Sequence, residues 1–286
     1  MLSKVAADLL LLFVAAIWGT TFPVVKNALS AIDPMWFCAV RFFLAGVALV
    51  PFFWRDLLCA RIETWKRGAV IGFFLFSAYA FQTTGLSLTT SSKAAFITGL
   101  YLVIVPAVLA VIERRLPGRH VTAGVVLSVT GLAVLSLEGR MVPQLGDVLV
   151  VLCAFSFAAH IVSIEKLGPG HSAGVLTIAQ ILTVSVLSLI CSLLLEKPSL
   201  SITRYTWSAI LITGLFATSA AYLIQTTVQK FTEATHAALI LALEPVFALL
   251  FSYLWAGETL TARGVAGATL MFSGMIVTEV ATARYS

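Results

Sequence analysis

Apolar residues in this chain come in long runs. No Asp, Glu, Lys or Arg interrupts residues 9–25, 68–92, 94–112, 121–137, 148–164, 172–195, 207–229 or 264–278. Two further runs each carry one such residue, Arg41 and Glu244. Crossing a bilayer takes ~20 mostly apolar residues at 1.5 Å rise each. The runs are longer than the ~9–11 residues of a barrel strand and do not alternate polar with apolar. The pattern therefore predicts ten transmembrane helices, over 6–26, 34–54, 68–88, 94–113, 121–138, 147–166, 172–195, 207–229, 234–255 and 264–281. Asp33-Pro34, Pro117-Gly118 and Gly168-Pro169-Gly170 punctuate their ends. The expected class is an all-α polytopic membrane protein.

A second pattern lies over the first. Ala78-Tyr-Ala-Phe-Gln-Thr-Thr84 returns as Ala221-Tyr-Leu-Ile-Gln-Thr-Thr227, 143 residues later, in a chain of 286. Ala94-Ala95-Phe96-Ile97 and Ala237-Ala238-Leu239-Ile240 keep the same offset, as do Gly124 with Gly131 and Gly267 with Gly274. Asp8 and Asp147, like Pro106 and Pro245, match at 139; Trp65 with Gly72 and Trp207 with Gly214 match at 142. Two repeats follow, residues 1–142 and 143–286, each with five helices. Five is odd, so the second copy crosses the membrane in the opposite sense. Two inverted five-helix repeats about an axis in the membrane plane form an architecture of secondary transporters. A site between such copies can open to either side when the two halves exchange conformations.

Composition agrees. Sixty per cent of residues are apolar and 11% charged, against ~25% charged in soluble domains. The net charge of +5 does not mark a nucleic-acid surface, because the basic residues are distributed by side. With the amino terminus inside, eleven (Lys4, Arg55, Arg61, Lys66, Arg67, Arg114, Arg115, Arg119, Lys166, Lys230, Arg284) fall inside. Six (Lys26, Lys93, Arg140, Lys197, Arg204, Arg263) fall outside. That bias predicts both termini in the cytoplasm. The first apolar run is too long for a cleavable signal and belongs to the repeat. Cys38, Cys59, Cys153 and Cys191 form no Cys-x-x-Cys pair, so no disulfide, metal or other cofactor is expected. His-Glu-x-x-His, Gly-x-Ser-x-Gly and P-loop signatures are also absent. This argues against an enzyme and against an ATP-driven pump.

The stretches "AAIWGTTFPVVKNALSAIDPMWFCAVRF" and "ALEPVFALLFSYLWAGETLTARGVAGATLMFSGMIV" resemble the opening and closing patterns of the EamA family of the drug/metabolite transporter superfamily. The resemblance spans essentially the whole chain. It implies ten helices around a central cavity and export of amino acids or other small metabolites, as in bacterial inner-membrane exporters of aromatic and neutral amino acids.

Several residues could carry such transport. Tyr79 with Gln82, and Tyr222 with Gln225, are three apart and share helix faces. A buried amide needs a protein or water partner, so these side chains either line a cavity or bond neighbouring helices. Because the copies run oppositely, they are expected to line gates above and below that cavity. Trp18 and Thr21 flank Gly19 ahead of Pro23, where a kink either offers backbone dipoles to a ligand or is satisfied by Thr20 and Thr21. His160 occupies the matched place to Thr21, and Tyr101 precedes Pro106; both join the candidate substrate-binding set. Glu244 before Pro245 sits at a costly depth and is read as structural or as coupling protons or substrate. Pro106 and Pro245 are candidate hinges. Lys93 and His236, which begin the fourth and ninth helices at matched positions, are read as interfacial or gating. Arg41 is assigned to a lipid headgroup or helix end ahead of substrate, and many of the other aromatic residues, such as Trp54 and Trp65, to interface belts rather than a binding box.

The resulting reading is a secondary exporter of small organic metabolites, amino acids first, working by alternating access in the bacterial inner membrane. Its partners are a small-molecule substrate and membrane lipid, and one chain completes the cavity. A sugar-phosphate or nucleotide-sugar translocator and a channel-like facilitator are the alternatives.

Overall fold

The computed structural model describes residues 4–136, 144–198, 202–256 and 261–285, and these contain helices only. In chain order they are α1 (Lys4–Gly19), α2 (Thr21–Ala28), α3 (Pro34–Leu58), α4 (Ile62–Leu88), α5 (Ser91–Gly99) and α6 (Tyr101–Glu113). Then come α7 (Arg119–Ser136), α8 (Leu145–Leu167), α9 (Ala173–Leu195) and α10 (Arg204–Ile212), followed by a π-helical segment over Thr213–Ala220. The chain continues with α11 (Ala221–Gln229), α12 (Ala234–Leu241), α13 (Glu244–Ala256) and α14 (Ala262–Tyr285). They make the ten spans of two inverted five-helix repeats. Four spans are composite: α1 with α2, α5 with α6, α10 through α11, and α12 with α13. Arg140 and the Gly257-Glu258-Thr259-Leu260 part of the closing family-like stretch lie outside the described residues, as does the side chain of Arg284. The face at which α1 begins is termed the N-face.

α4 begins at Ile62, six residues before the expected start, because its first turns need not be apolar. Arg61, Glu63, Lys66 and Arg67 lie there, and Arg67 Nε donates to Glu63 at 2.9 Å across one turn. The first span breaks at Thr20. The hydroxyls of Thr20 and Thr21 donate to the Ile17 and Trp18 carbonyls at 2.8 Å, so both are engaged within the first span. The fourth and ninth spans break just before Tyr101 and Glu244. Those two residues are 143 apart, the offset of the Tyr-Gln motif, whereas Pro106 and Pro245 are 139 apart. What repeats is the break, not the proline beside it. Pro245 is the second residue of α13, where a missing N–H is harmless.

α7 packs along α14, and their matched glycines let the backbones nearly touch. A Cβ on Gly131 would stand 2.6 Å from the Gly267 carbonyl, and one on Gly124 would stand 2.6 Å from that of Gly274. Small residues are the usual means of close helix contact in lipid, where no hydrophobic force drives association. α4 packs on α8 and α9, α3 on α9, and α1 on α11, α12 and α13. Each repeat is thereby held against the other. Phe43, Val47, Val186, Leu193 and Leu194 remain exposed on the outside and suit an acyl-chain solvent.

Candidate functional site

Where the repeats meet, α1, α2, α3, α4, α5, α6, α8, α11, α12 and α13 enclose a narrow cavity of about 40 Å³. Its lining includes Trp18, Thr21, Tyr79, Gln82, Tyr101, His160, Tyr222, Gln225 and Glu244. The lining is nearly two-fold in sequence. Trp18 is answered by Phe157, Thr21 by His160 and Phe22 by Ile161 at offset 139; Tyr79 by Tyr222, Gln82 by Gln225 and Tyr101 by Glu244 at 143. Symmetric positions carry unlike chemistry in two of these pairs: a threonine faces a histidine, and a phenol faces a carboxyl group.

The two motif tyrosines do not sit at separate levels. Tyr222 Oη donates to Tyr79 Oη at 2.9 Å, so the copies cross at the centre. Because α4 and α11 run oppositely, the glutamines one turn further on diverge from that contact. Gln82 Nε2 lies 3.4 Å from Thr98 Oγ1 and remains half-buried. Gln225 is 1% exposed, and its Nε2 donates to Gln229 Oε1 at 2.9 Å. Gln229 Nε2 in turn donates to the Ile161 carbonyl at 2.9 Å, and the whole run Ala234–Val246 is buried. The cavity is sealed toward the N-face and reaches farthest toward the opposite one, where Thr21 and Gln82 are partly exposed.

Aromatic rings form its walls, among them Trp18, Tyr79, Tyr101 and Tyr222 of the candidate set. Tyr79 packs edge-on to Phe42, Phe157 and Tyr222, with centroids 4.8, 5.6 and 6.3 Å apart. Trp18 tilts against Tyr222 at 5.3 Å and donates its indole N–H to the Ala217 carbonyl at 2.8 Å. Tyr101 meets Phe157 at 6.4 Å. Phe157 was not singled out from the sequence, although its match to Trp18 was available. Gly19 lets α1 approach: a Cβ there would lie 2.6 Å from the Glu244 carbonyl.

For Arg41 the structure departs from the favoured sequence reading, since its protein partner is Thr218 and not a helix end. It is 3% exposed and lines the cavity. Its Nε donates to Thr218 Oγ1 at 2.8 Å, and its guanidinium carbon lies 5.2 Å from the Tyr79 centroid. The terminal Nη groups make no hydrogen bond to protein among the described residues. Thr218 belongs to the π-helical segment, where its hydroxyl also donates to the carbonyl five residues back. The wide turn, which the matching helix α4 lacks, therefore holds the arginine. Gln180, the counterpart of Arg41, accepts from His160 Nε2 at 2.8 Å and donates to Thr226 Oγ1 at 2.8 Å. Tyr101 Oη, His160 Nδ1 and Gln225 Oε1 are buried without a protein partner. Buried polar atoms rarely stay unpaired, so the cavity has polar capacity in reserve for a ligand or water.

Lys93, His236, Pro106 and Pro245 do not line this cavity. Lys93 Nζ lies 3.4 Å from Asp147 Oδ2 at the face opposite the N-face. His236 Nε2 donates to Asp8 Oδ1 at 2.8 Å at the N-face. Pro106 and His236 line a second, polar cavity of about 290 Å³ on the N-face.

Comparison with known proteins places this geometry. A solved crystal structure, 19% identical, superimposes with a TM-score of 0.81 over 99% of this chain and 100% of that one, which shows a shared fold. An uncharacterized transporter of Archaeoglobus fulgidus is 35% identical over 97% of this chain and 87% of its own length. A probable amino-acid metabolite efflux pump of Salmonella typhimurium is 28% identical over 94% of this chain and 93% of its own. The Escherichia coli protein of the same description is 27% identical over 94% and 93%. The EamA-like transporter family profile matches twice, at residues 5–137 and 144–280, so each repeat carries one copy. The chain belongs to the EamA-like transporter family: it is a multi-pass membrane transporter for a small molecule.

Proposed function

We propose that this transporter is a secondary exporter of α-amino acids, aromatic and other large neutral ones first, working by alternating access. The single observation that carries the reading is the pairing of Arg41 and Glu244 in one buried cavity walled by Trp18, Tyr79, Tyr101, Phe157 and Tyr222. A zwitterion needs one group of each sign; Arg41 offers an unused fork to a carboxylate, and Glu244 offers an acceptor to an ammonium. The rings suit an apolar or aromatic side chain, with cation–π attraction available to the ammonium. A sugar phosphate would set two negative charges against one arginine and beside Glu244, which the lining does not favour. The efflux description of the relatives and the basic bias of the N-face support an inner-membrane exporter with both termini cytoplasmic.

The test is uptake into proteoliposomes preloaded with a panel of amino acids, their decarboxylated amines and their deaminated acids. Exchange confined to compounds carrying both charges supports the reading. Exchange of amines or acids alone at equal rate, or of phosphorylated sugars, contradicts it.

A further inference from the structure

Asp8 and Asp147 are matched residues of the two repeats, and so are His236 and Lys93. Each aspartate reaches across to the other repeat's cation, so Asp8–His236 and Lys93–Asp147 are one contact made twice, on opposite faces. The N-face copy is the shorter, 2.8 against 3.4 Å. The N-face is also the side toward which the central cavity is sealed. One difference in chemistry separates the copies. Lysine is cationic throughout the physiological range, whereas histidine carries charge only when protonated.

We infer that His236 is a proton-binding latch: protonated, it holds Asp8 and keeps the N-face closed, while the Lys93–Asp147 latch of the opposite face ignores pH. The inference rests on the alternating-access reading above. Protons reach the site from the polar N-face cavity, which His236 lines together with Glu113, Arg115, Glu165 and Glu233. Those residues are also its electrostatic surroundings. α1 brings Asp8 and, one turn earlier, Lys4. α6 and the turn after it bring Glu113 and Arg115, and α8 brings Glu165 and Lys166. α14 contributes Thr278. The seal beside the latch depends on no histidine: Glu165 Oε2 accepts from the Ala234 N–H at 2.5 Å, and Lys166 Nζ donates to Glu113 Oε1 at 2.5 Å. The sign follows directly. Raising the pH at the N-face removes the histidine charge, weakens the hold on Asp8 and favours opening on that side; lowering it favours closure.

Ala237 and Ala94, one residue past each cation, are 0% exposed and report opening on the two faces. Single cysteines at these positions, with the four native cysteines replaced, are labelled with a polar maleimide in detergent between pH 5.5 and 8. Each rate is divided by that of the matched latch variant at the same pH, which cancels the reagent's own pH dependence. The expected result is that Ala237→Cys labelling, relative to the same protein carrying His236→Lys, rises about three- to tenfold across the range, as befits one partly buried ion pair. Lys93→His should install the same pH dependence on Ala94→Cys. Coincident profiles for His236 and His236→Lys, with both cysteines labelled, would sink the latch and leave alternating access intact. If neither cysteine labels at any pH in protein of normal melting temperature, alternating access itself fails, and the latch with it.

Discussion

Arg41→Gln isolates the group on which substrate recognition is made to depend. The side chain is 3% exposed, Nε is committed to Thr218 at 2.8 Å, and Nη1 and Nη2 are left for a ligand. A carboxylate held by that fork gains one or two charge-assisted hydrogen bonds away from bulk water. A hydrogen bond to a charged group contributes ~1.5–3 kcal/mol. Glutamine retains an N–H donor but no charge, so the expected loss is about 2–3 kcal/mol, or roughly 30- to 150-fold in apparent affinity. Arg41→Lys keeps the charge without the planar fork and should lose roughly tenfold or less. The assay is saturable exchange of a labelled aromatic amino acid in proteoliposomes, with surface amount and melting temperature measured for each variant. The decarboxylated amine serves as an internal control: its weak competition should not change in Arg41→Gln. An unchanged half-saturation constant for the amino acid, in protein that melts normally, would refute a role for Arg41 in binding the carboxylate.

Two further predictions concern the scaffold. Gly131→Leu places a side chain where even a Cβ would stand 2.6 Å from the Gly267 carbonyl and 2.7 Å from the Met271 nitrogen. Forcing α7 from α14 should cost about 1–3 kcal/mol or more, read as a lower melting temperature, whereas Gly118→Ala, with nothing within 4 Å, should melt as the parent does. Glu196 accepts from the Met35 and Trp36 amides at 2.8 and 3.0 Å, so the end of α9 caps the start of α3. Glu196→Ala should destabilise by about 1–2 kcal/mol, and an unchanged melting curve would show the cap to be idle.

Much of this arrangement could be read from the chain because the repeat is itself a structural statement. Tyr79, Gln82, Tyr222 and Gln225 were found by matching the halves, and an odd number of spans per half implies that matched residues approach a common axis. Arg41 stayed between an interfacial and a substrate role for a physical reason. At the eighth residue of α3, an arginine could equally snorkel to the interface, and only the π-helical turn of the other repeat, bearing Thr218, decides its direction. That turn announces itself by no local signal, since Thr213–Ala220 is as apolar as an ordinary helix. The partners of Lys93 and His236 were equally hidden: Asp147 is 54 residues from one and Asp8 is 228 from the other. Matching the halves could still have paired them, because both the aspartates and the cations repeat. Proline drew attention to the fourth and ninth helices, yet the breaks fall at Leu100 and at Ala242–Leu243.

Counterflow tests the central claim most directly. Liposomes carrying the protein are loaded with excess unlabelled aromatic amino acid and diluted into a trace of the labelled compound. A site open to one face at a time carries label inward on each return from unloading, so labelled substrate should transiently exceed its equilibrium level inside and then decay. Simple approach to equilibrium with no overshoot, at any internal load, would mean a continuous path through the bundle and would contradict alternating access between the inverted halves.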